Sequence, residues 1–217
     1  MNQYTILTSK MPLLFSGSTR IVLASQSPRR IDLLKRIIPD FEVKVSNINE
    51  DTNGTIVPWT LVEELSYRKA GHIANQVSDG IIIGADSVVV LHSKILNKPK
   101  DVNDAFDMLS LLSGKVHQVY TGFSIIKKPQ RTVIRDYEVT HVKFRNLETR
   151  EIEQYIQSGQ PLDKAGAYGI QDDGAVFVES INGCYYNVVG LPITKVFLAL
   201  KKILKEEEGK SERRTTA

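Results

Sequence analysis

From Leu23 to Arg30 the chain reads Leu-Ala-Ser-Gln-Ser-Pro-Arg-Arg, so two hydroxyls and two guanidinium groups crowd into one short stretch. Guanidinium forks match the oxygens of a phosphate. The β-branched and apolar run Ile21-Val22-Leu23-Ala24 comes just before. Pro28 suits the first turn of a helix, where its missing N–H costs nothing, and Ser27 suits the N-cap. Ile31, Leu33, Leu34, Ile37 and Ile38 then supply an apolar helical face. A strand therefore feeds a helix N-terminus, where unpaired N–H groups and the helix dipole favour an anion. Alone, the stretch reads equally as a solvated basic turn or a Ser-Pro phosphorylation site.

Two further groups carry chemistry. The polar loop Ser46 to Thr55 holds Glu50 and Asp51, and the helix after it carries Arg68-Lys69. Gly84-Ala85-Asp86-Ser87 lies between the apolar runs Ile81-Ile82-Ile83 and Val88-Val89-Val90-Leu91, with Asn97-Lys98-Pro99-Lys100-Asp101 a hairpin further on. A carboxylate and a hydroxyl inside such a run are expensive without partners, and the carboxylate marks Asp86 as functional. Singly, Arg68-Lys69 reads as a solvated helix face and Lys98-Pro99-Lys100 as a turn. Together the three groups offer carboxylates and cations in similar number. A polyphosphate with a divalent metal requires that mixture: cations on phosphate oxygens, carboxylates on the metal or on a water.

Other chemistries fit less well. The net charge is +3 over 217 residues, which gives no bulk case for a nucleic-acid polymer or a membrane surface, so any anion site must be local. No apolar run approaches the ~20 residues of a membrane span, and Met1 to Ser18 lacks the pattern of a secretory signal. The single cysteine, Cys184, excludes an internal disulfide and reads as structural, and a cytoplasmic setting is expected. No Cys-x-x-Cys or His-x-Glu spacing suggests zinc. His72, His92, His117 and His141 are scattered singly and read as surface or strand histidines. Ser25 has no nucleophile elbow or clear histidine partner.

The elements that must position these residues follow from periodicity. Phe41 to Val45 alternates as a strand. Pro58 opens a helix to about Val77, with Leu61, Val62, Leu65, Ala70, Ile73, Ala74 and Val77 on its buried face. Asp101 caps a helix over Val102 to Leu112, and Ser113-Gly114 ends it. Gln118 to Ile126 and Thr132 to Phe144 read as strands joined by a turn through Pro129. Glu148 to Gln157 is a helix, Ala175 to Ile181 a strand, and Pro192 to Leu204 the last helix. Asp163 to Gln171 is too glycine-dense for a regular element and reads as a loop of close backbone approach. Residues 1–19 form an N-terminal extension, 20–204 one functional unit and 205–217 a charged flexible tail. Alternating strands and helices, then mostly strands, predict an α/β fold with a mixed sheet.

From about Arg20 to Leu200 the ordered motifs resemble the Maf family of nucleoside-triphosphate pyrophosphatases. They are Leu23 to Arg30, Glu50, Arg68-Lys69-Ala70, Gly84 to Ser87, Leu96-Asn97-Lys98-Pro99, Leu112-Ser113-Gly114 through Val119 to Gly122, Asp163 to Gln171, and Asn187 to Pro192. The resemblance implies an elongated, twisted mixed sheet flanked by helices, with two lobes and a central cleft, of the Maf/ITPase-like kind. It implies hydrolysis between the α- and β-phosphates, with Asp86, Lys69, Lys98 and Glu50 catalytic. Ser25, Arg29, Arg30 and Gln171 would bind substrate, and Glu50 and Asp86 would hold Mg²⁺ or Mn²⁺, Asp86 also serving as general base. Ala167-Tyr168-Gly169-Ile170-Gln171 resembles the branch acting on dTTP and UTP, and the resemblance also implies a homodimer. Asp172-Asp173 stand where the family pattern has a glycine and a small or apolar residue, and they bear on base preference. The alternatives are the same reaction on 7-methyl-GTP or a non-canonical purine triphosphate such as ITP, or a nucleotide-binding regulator of cell division without turnover.

Overall fold

The computed structural model describes residues 19–50 and 57–215, with side chains through Lys205. The extension up to residue 18 and Asp51 lie outside the described residues. The short, fully buried β1 (Ile21–Leu23) leads into α1 (Pro28–Lys35). β2 (Glu42–Val43) retains only two paired residues of the strand expected from Phe41 to Val45. α2 (Pro58–Ala74) presents Leu61, Val62, Leu65, Ala70, Ile73 and Ala74 to the core, the face its spacing predicts.

The frame is a long antiparallel ribbon. β3 (Gly80–Leu91) runs unbroken through the Gly-Ala-Asp-Ser segment. It pairs with β5 (Val116–Lys128), which pairs with β6 (Thr132–Phe144). β7 (Val178–Asn182) adds at the far end, and β1 and β2 add in parallel on the other side of β3. β4 (Lys94–Leu96) folds back on β3 as a hairpin, completing a seven-stranded mixed sheet in the order β2-β1-β3-β5-β6-β7.

One detail of register makes the site. β1 pairs with β3 as far as Ile83, and pairing with β4 begins only at Val89 of β3. Among the described residues, the β3 edge from Gly84 to Val88 therefore has no strand beside it. α2 covers one sheet face along its length, packing Ala70 and Ile73 on Val22 and Ile82, and Leu61 and Leu65 on Val88 and Val90. The opposite face is shared. α1 and the last helix, α6 (Ile193–Thr215), pack with α5 (Tyr185–Val189) on Ile81, Ile83 and Phe123. α3 (Val102–Leu112) and α4 (Thr149–Gln157) pack on Leu91, Val142 and Phe144. Two lobes result, and the cleft between them opens at the unpaired stretch of β3.

Several elements differ from expectation. The strand expected from Ala175 starts at Val178, because the Asp172 side chain accepts from Gly174 N–H and caps a 3-10 turn over Asp173–Phe177. α5 has no counterpart in the sequence reading. α6 continues to Thr215 where an end at Leu204 was expected; Lys, Glu and Arg are good helix formers even without an apolar face. His117 is a strand histidine, in β5, and no surface one, since only 1% of it is exposed, between Phe144 and Tyr168.

Candidate active site

Glycine brings α2 onto the sheet. A Cβ on Gly84 would lie 2.3 Å from Ser66 O of α2, and one on Gly122 would lie 2.3 Å from Val62 O, so only glycine permits the approach. Lys69 is carried in by that contact. Alternation along β3 turns Asp86 to the same face as Gly84, towards α2. The Lys69 Nζ donates to Asp86 Oδ1 at 2.6 Å and pairs with Glu50 Oε1 at 2.8 Å. Lys69 and Asp86 are 9% and 7% exposed, so this ammonium sits between two carboxylates largely out of water. The partner that a carboxylate inside β3 demands is thus Lys69. Arg68, one residue earlier, donates to the Asn49 carbonyl and ties down the loop that presents Glu50.

Burial alone would raise the Glu50 pKa, but the hydrogen bond and charge of Lys69, aided by Lys98 and Arg30, hold it below the ordinary carboxylate value. Glu50 is therefore a persistent anion.

The next residue, Ser87, faces the opposite side of the sheet, where it meets its cross-strand neighbour Thr121 at 2.9 Å between hydroxyls. Thr121 donates to the Asn187 carbonyl at 3.0 Å, so the proton between the two hydroxyls comes from Ser87. Ser87 Oγ in turn accepts from Arg30 Nη2 at 3.0 Å. Arg30 Nε donates to Gly190 O at 2.9 Å, and Nη1 reaches Ser25 Oγ at 3.5 Å. Burial lowers the Arg30 pKa, with the Asp86 charge opposing and the Arg29 charge adding to the effect. A guanidinium stays protonated regardless. What burial leaves is a poorly solvated cation beside the α1 N-terminus, a strong attractor for an anion.

Ser27 occupies the N-cap of α1 but makes no side-chain cap bond; its N–H donates to Ser25 Oγ at 3.2 Å. Ser25 thus stands behind Arg30, outside the cleft lining. Arg29 reaches across the mouth to Asp163 Oδ2 at 3.0 Å. Lys98 and Gln171 are exposed on the rim. The cleft has a volume of about 360 Å³ and is lined by five basic side chains (Arg29, Arg30, Lys69, Lys98, Lys164) and two acidic ones (Glu50, Asp86). That is small-molecule size with a surplus of positive charge.

The structure therefore gathers Arg29, Arg30, Glu50, Lys69, Asp86, Lys98 and Gln171 around one cleft, with Ser25 directly behind it. The sequence reading placed Ser87 in a chemical group without giving it a role, and gave none to Thr121 or Lys164. Strand alternation was the available signal for Ser87, since neighbours on one strand must serve opposite faces. Asp172 and Asp173 are engaged within their own loop, with Tyr155, Lys164 and Gly174 for the first and Gln160 for the second.

A mixed sheet carrying a cationic cleft, with a Lys between two carboxylates, makes a site suited to a small polyanion. A model of the Maf-like protein family matches residues 20–203, and the chain belongs to that family. It is 47% identical over 186 residues to a dTTP/UTP pyrophosphatase of Clostridium perfringens (strain SM101 / Type A), covering 84% of this chain and 96% of that one. It is 45% identical over 183 residues to a dTTP/UTP pyrophosphatase of Carboxydothermus hydrogenoformans, covering 84% and 98%. Among solved structures, a HAM1 protein from Coxiella burnetii aligns over 87% of this chain and 99% of that one, with TM-score 0.46 and 16% identity.

Proposed function

We propose that this cleft hydrolyses nucleoside triphosphates between the α- and β-phosphates, releasing the monophosphate and pyrophosphate, with dTTP and UTP preferred. The observation that carries the proposal is the Lys69 ammonium held between Asp86 and Glu50, across the cleft from Arg30. The names of the relatives support the two pyrimidine substrates, and so does Gln171 on the rim, whose amide offers both a donor and an acceptor to a pyrimidine edge.

Each residue then has a part. Arg30 and the first N–H groups of α1 grip phosphate oxygens, with Arg29 and Lys98 adding charge at the mouth. Ser25 keeps Arg30 in place. Lys69 neutralises charge that builds up on the α-phosphate as water attacks. Asp86 takes the proton as the water oxygen bonds to the α-phosphorus. The bond to the bridging oxygen breaks, and pyrophosphate leaves with the electron pair. Glu50, held ionised by its cationic neighbours, is a poor proton acceptor and a good partner for a cation.

The donor set suits Mg²⁺ or Mn²⁺. Glu50 and Asp86 offer hard carboxylate oxygens converging on one ammonium, and no group of three or more metal-binding side chains occurs among the described residues. Mg²⁺ is commonly held by one or two carboxylates plus substrate phosphates, so these two residues fit. Such an ion, when bound, would supply charge neutralisation on the phosphates. The same reading carries a homodimer in the cytoplasm, the former open to sedimentation analysis.

The test is pyrophosphate release from a panel of UTP, dTTP, CTP, ITP and 7-methyl-GTP, each with Mg²⁺ and with Mn²⁺. UTP and dTTP should turn over fastest. Tight binding of all five with no pyrophosphate released would overturn the reading in favour of a regulator.

A further inference from the structure

The loop that presents Gln171 is pinned on both sides of that residue to a single phenol oxygen. Tyr155, on α4 and 4% exposed, accepts from Gly169 N–H at 3.1 Å and donates to Asp172 Oδ1 at 2.9 Å. Gln171 lies between those two anchors. The Asp172 carboxylate is itself fully engaged. Oδ1 also accepts from Gly174 N–H at 3.0 Å, and Oδ2 pairs with Lys164 Nζ at 3.2 Å. Lys164, 9% exposed, spends its remaining protons on Gln160 O and on Asp163 Oδ1 at 2.7 Å. Burial and the adjacent Asp172 charge raise the Tyr155 pKa, so the phenol keeps the proton it gives to Asp172.

Space as well as bonding is committed. A Cβ on Gly169 would lie 2.2 Å from Asp172 Oδ2 and 2.8 Å from Lys164 Cε, so the carboxylate fills the room that glycine leaves. Gly166 adopts a left-handed φ of 68° and Ala167 one of 60°, values that a glycine leaves freely and an alanine leaves with relief, so the start of the loop keeps its course only while its contacts hold it. Yet Gln171 is exposed, and among the described residues its side chain makes no hydrogen bond. Its aim into the cleft depends on the clamp around it.

We infer that Asp172, acting through Tyr155 and Lys164 and without touching substrate, is the positioning residue for the nucleobase end of the cleft. The inference rests on the hydrolase reading above, with Gln171 at the base. It assigns the carboxylate at position 172, where the family pattern has glycine, to preorganising the loop; base contact is not its task. An ordered loop binds without first paying to order itself, and a loop that is competent one time in ten binds about ten times more weakly.

Asp172→Asn and Tyr155→Phe test this. The first keeps shape and removes charge. The second keeps the ring packed on Phe177, whose centroid is 5.1 Å away, and removes the shared oxygen. For both full-length variants, KM for UTP and dTTP should rise about tenfold, with kcat within about twofold of wild type. The inhibition constant of inorganic tripolyphosphate, which reads only the phosphate end, should not move. A tripolyphosphate constant that weakened in step with KM would mean general loosening and overturn the inference. So would an unchanged KM in either variant, or a fall in kcat alone. If wild type releases no pyrophosphate from any triphosphate, the hydrolase reading fails first and this inference falls with it. Failure of the KM split in an active enzyme removes the inference only.

Discussion

Adding one methyl group at Gly84 should disable the site from behind. The new Cβ would lie 2.3 Å from Ser66 O, 2.8 Å from Ala70 N and 3.0 Å from Ala70 Cβ, where ordinary contact begins at 3.4 Å. These atoms belong to the α2 backbone or its root, so no side-chain rotation relieves the overlap. α2 must move away from β3 by about 1 Å, as overpacked contacts do by backbone shift. Lys69 lies between Ser66 and Ala70, and its 2.6 Å bond to Asp86 moves with the helix. Overpacking of this kind costs about 1–3 kcal/mol, which lowers Tm by roughly 2–12 °C in a chain of this size. A displacement of ~1 Å in a catalytic group costs about 100-fold in rate. Pyrophosphate release from UTP reads the second effect and calorimetry the first. Gly71→Ala is the control, because the same helix has nothing within 4 Å of that position. Alanine there should keep full turnover and raise stability by up to about 1 kcal/mol. A Gly84→Ala protein with wild-type rate and Tm, or equal damage from Gly71→Ala, would refute the claim that helix–sheet contact sets the Lys69–Asp86 geometry.

Asp86→Asn should lower kcat by about 10²–10⁴-fold while KM changes little, since Arg30 and the α1 N-terminus are untouched; a near-full rate would remove Asp86 as the base. Burial holds the His117 ring neutral, bringing its pKa from 6.5 down to about 4. Below pH 6.5 the unfolded chain takes up a proton that the folded chain refuses until about pH 4, so stability falls across that window as pH is lowered. The denaturant midpoint of His117→Gln should be flatter than that of wild type between those values, and an identical slope would contradict the buried neutral ring.

Much of the site was legible because it follows from local rules. Pro28 and the spacing after it mark the start of α1, and the cost of a carboxylate inside an apolar strand singles out Asp86. The partner of Asp86 was not legible. Lys69 looks like any solvated helical lysine until Gly84 and Gly122 let α2 approach the sheet. The partners of Ser87 were hidden for a related reason: Arg30 and Thr121 are long-range, 57 and 34 residues away. The run from Ala175 has strand-like composition, but the Asp172 cap diverts its start into a 3-10 turn, a tertiary choice that propensity does not contain. His117 carries no sequence mark of burial; Phe144 and Tyr168, which enclose it, come from a neighbouring strand and a distant loop.

The central claim is that water attacks the α-phosphorus of a triphosphate gripped at the α1 N-terminus. Turnover of UTP in heavy-oxygen water, followed by mass spectrometry of both products, tests it most directly. The heavy oxygen should appear in UMP and be absent from pyrophosphate. Label in pyrophosphate would mean attack at the β-phosphorus, and labelled orthophosphate would mean attack at the terminal phosphate; either result would contradict the account.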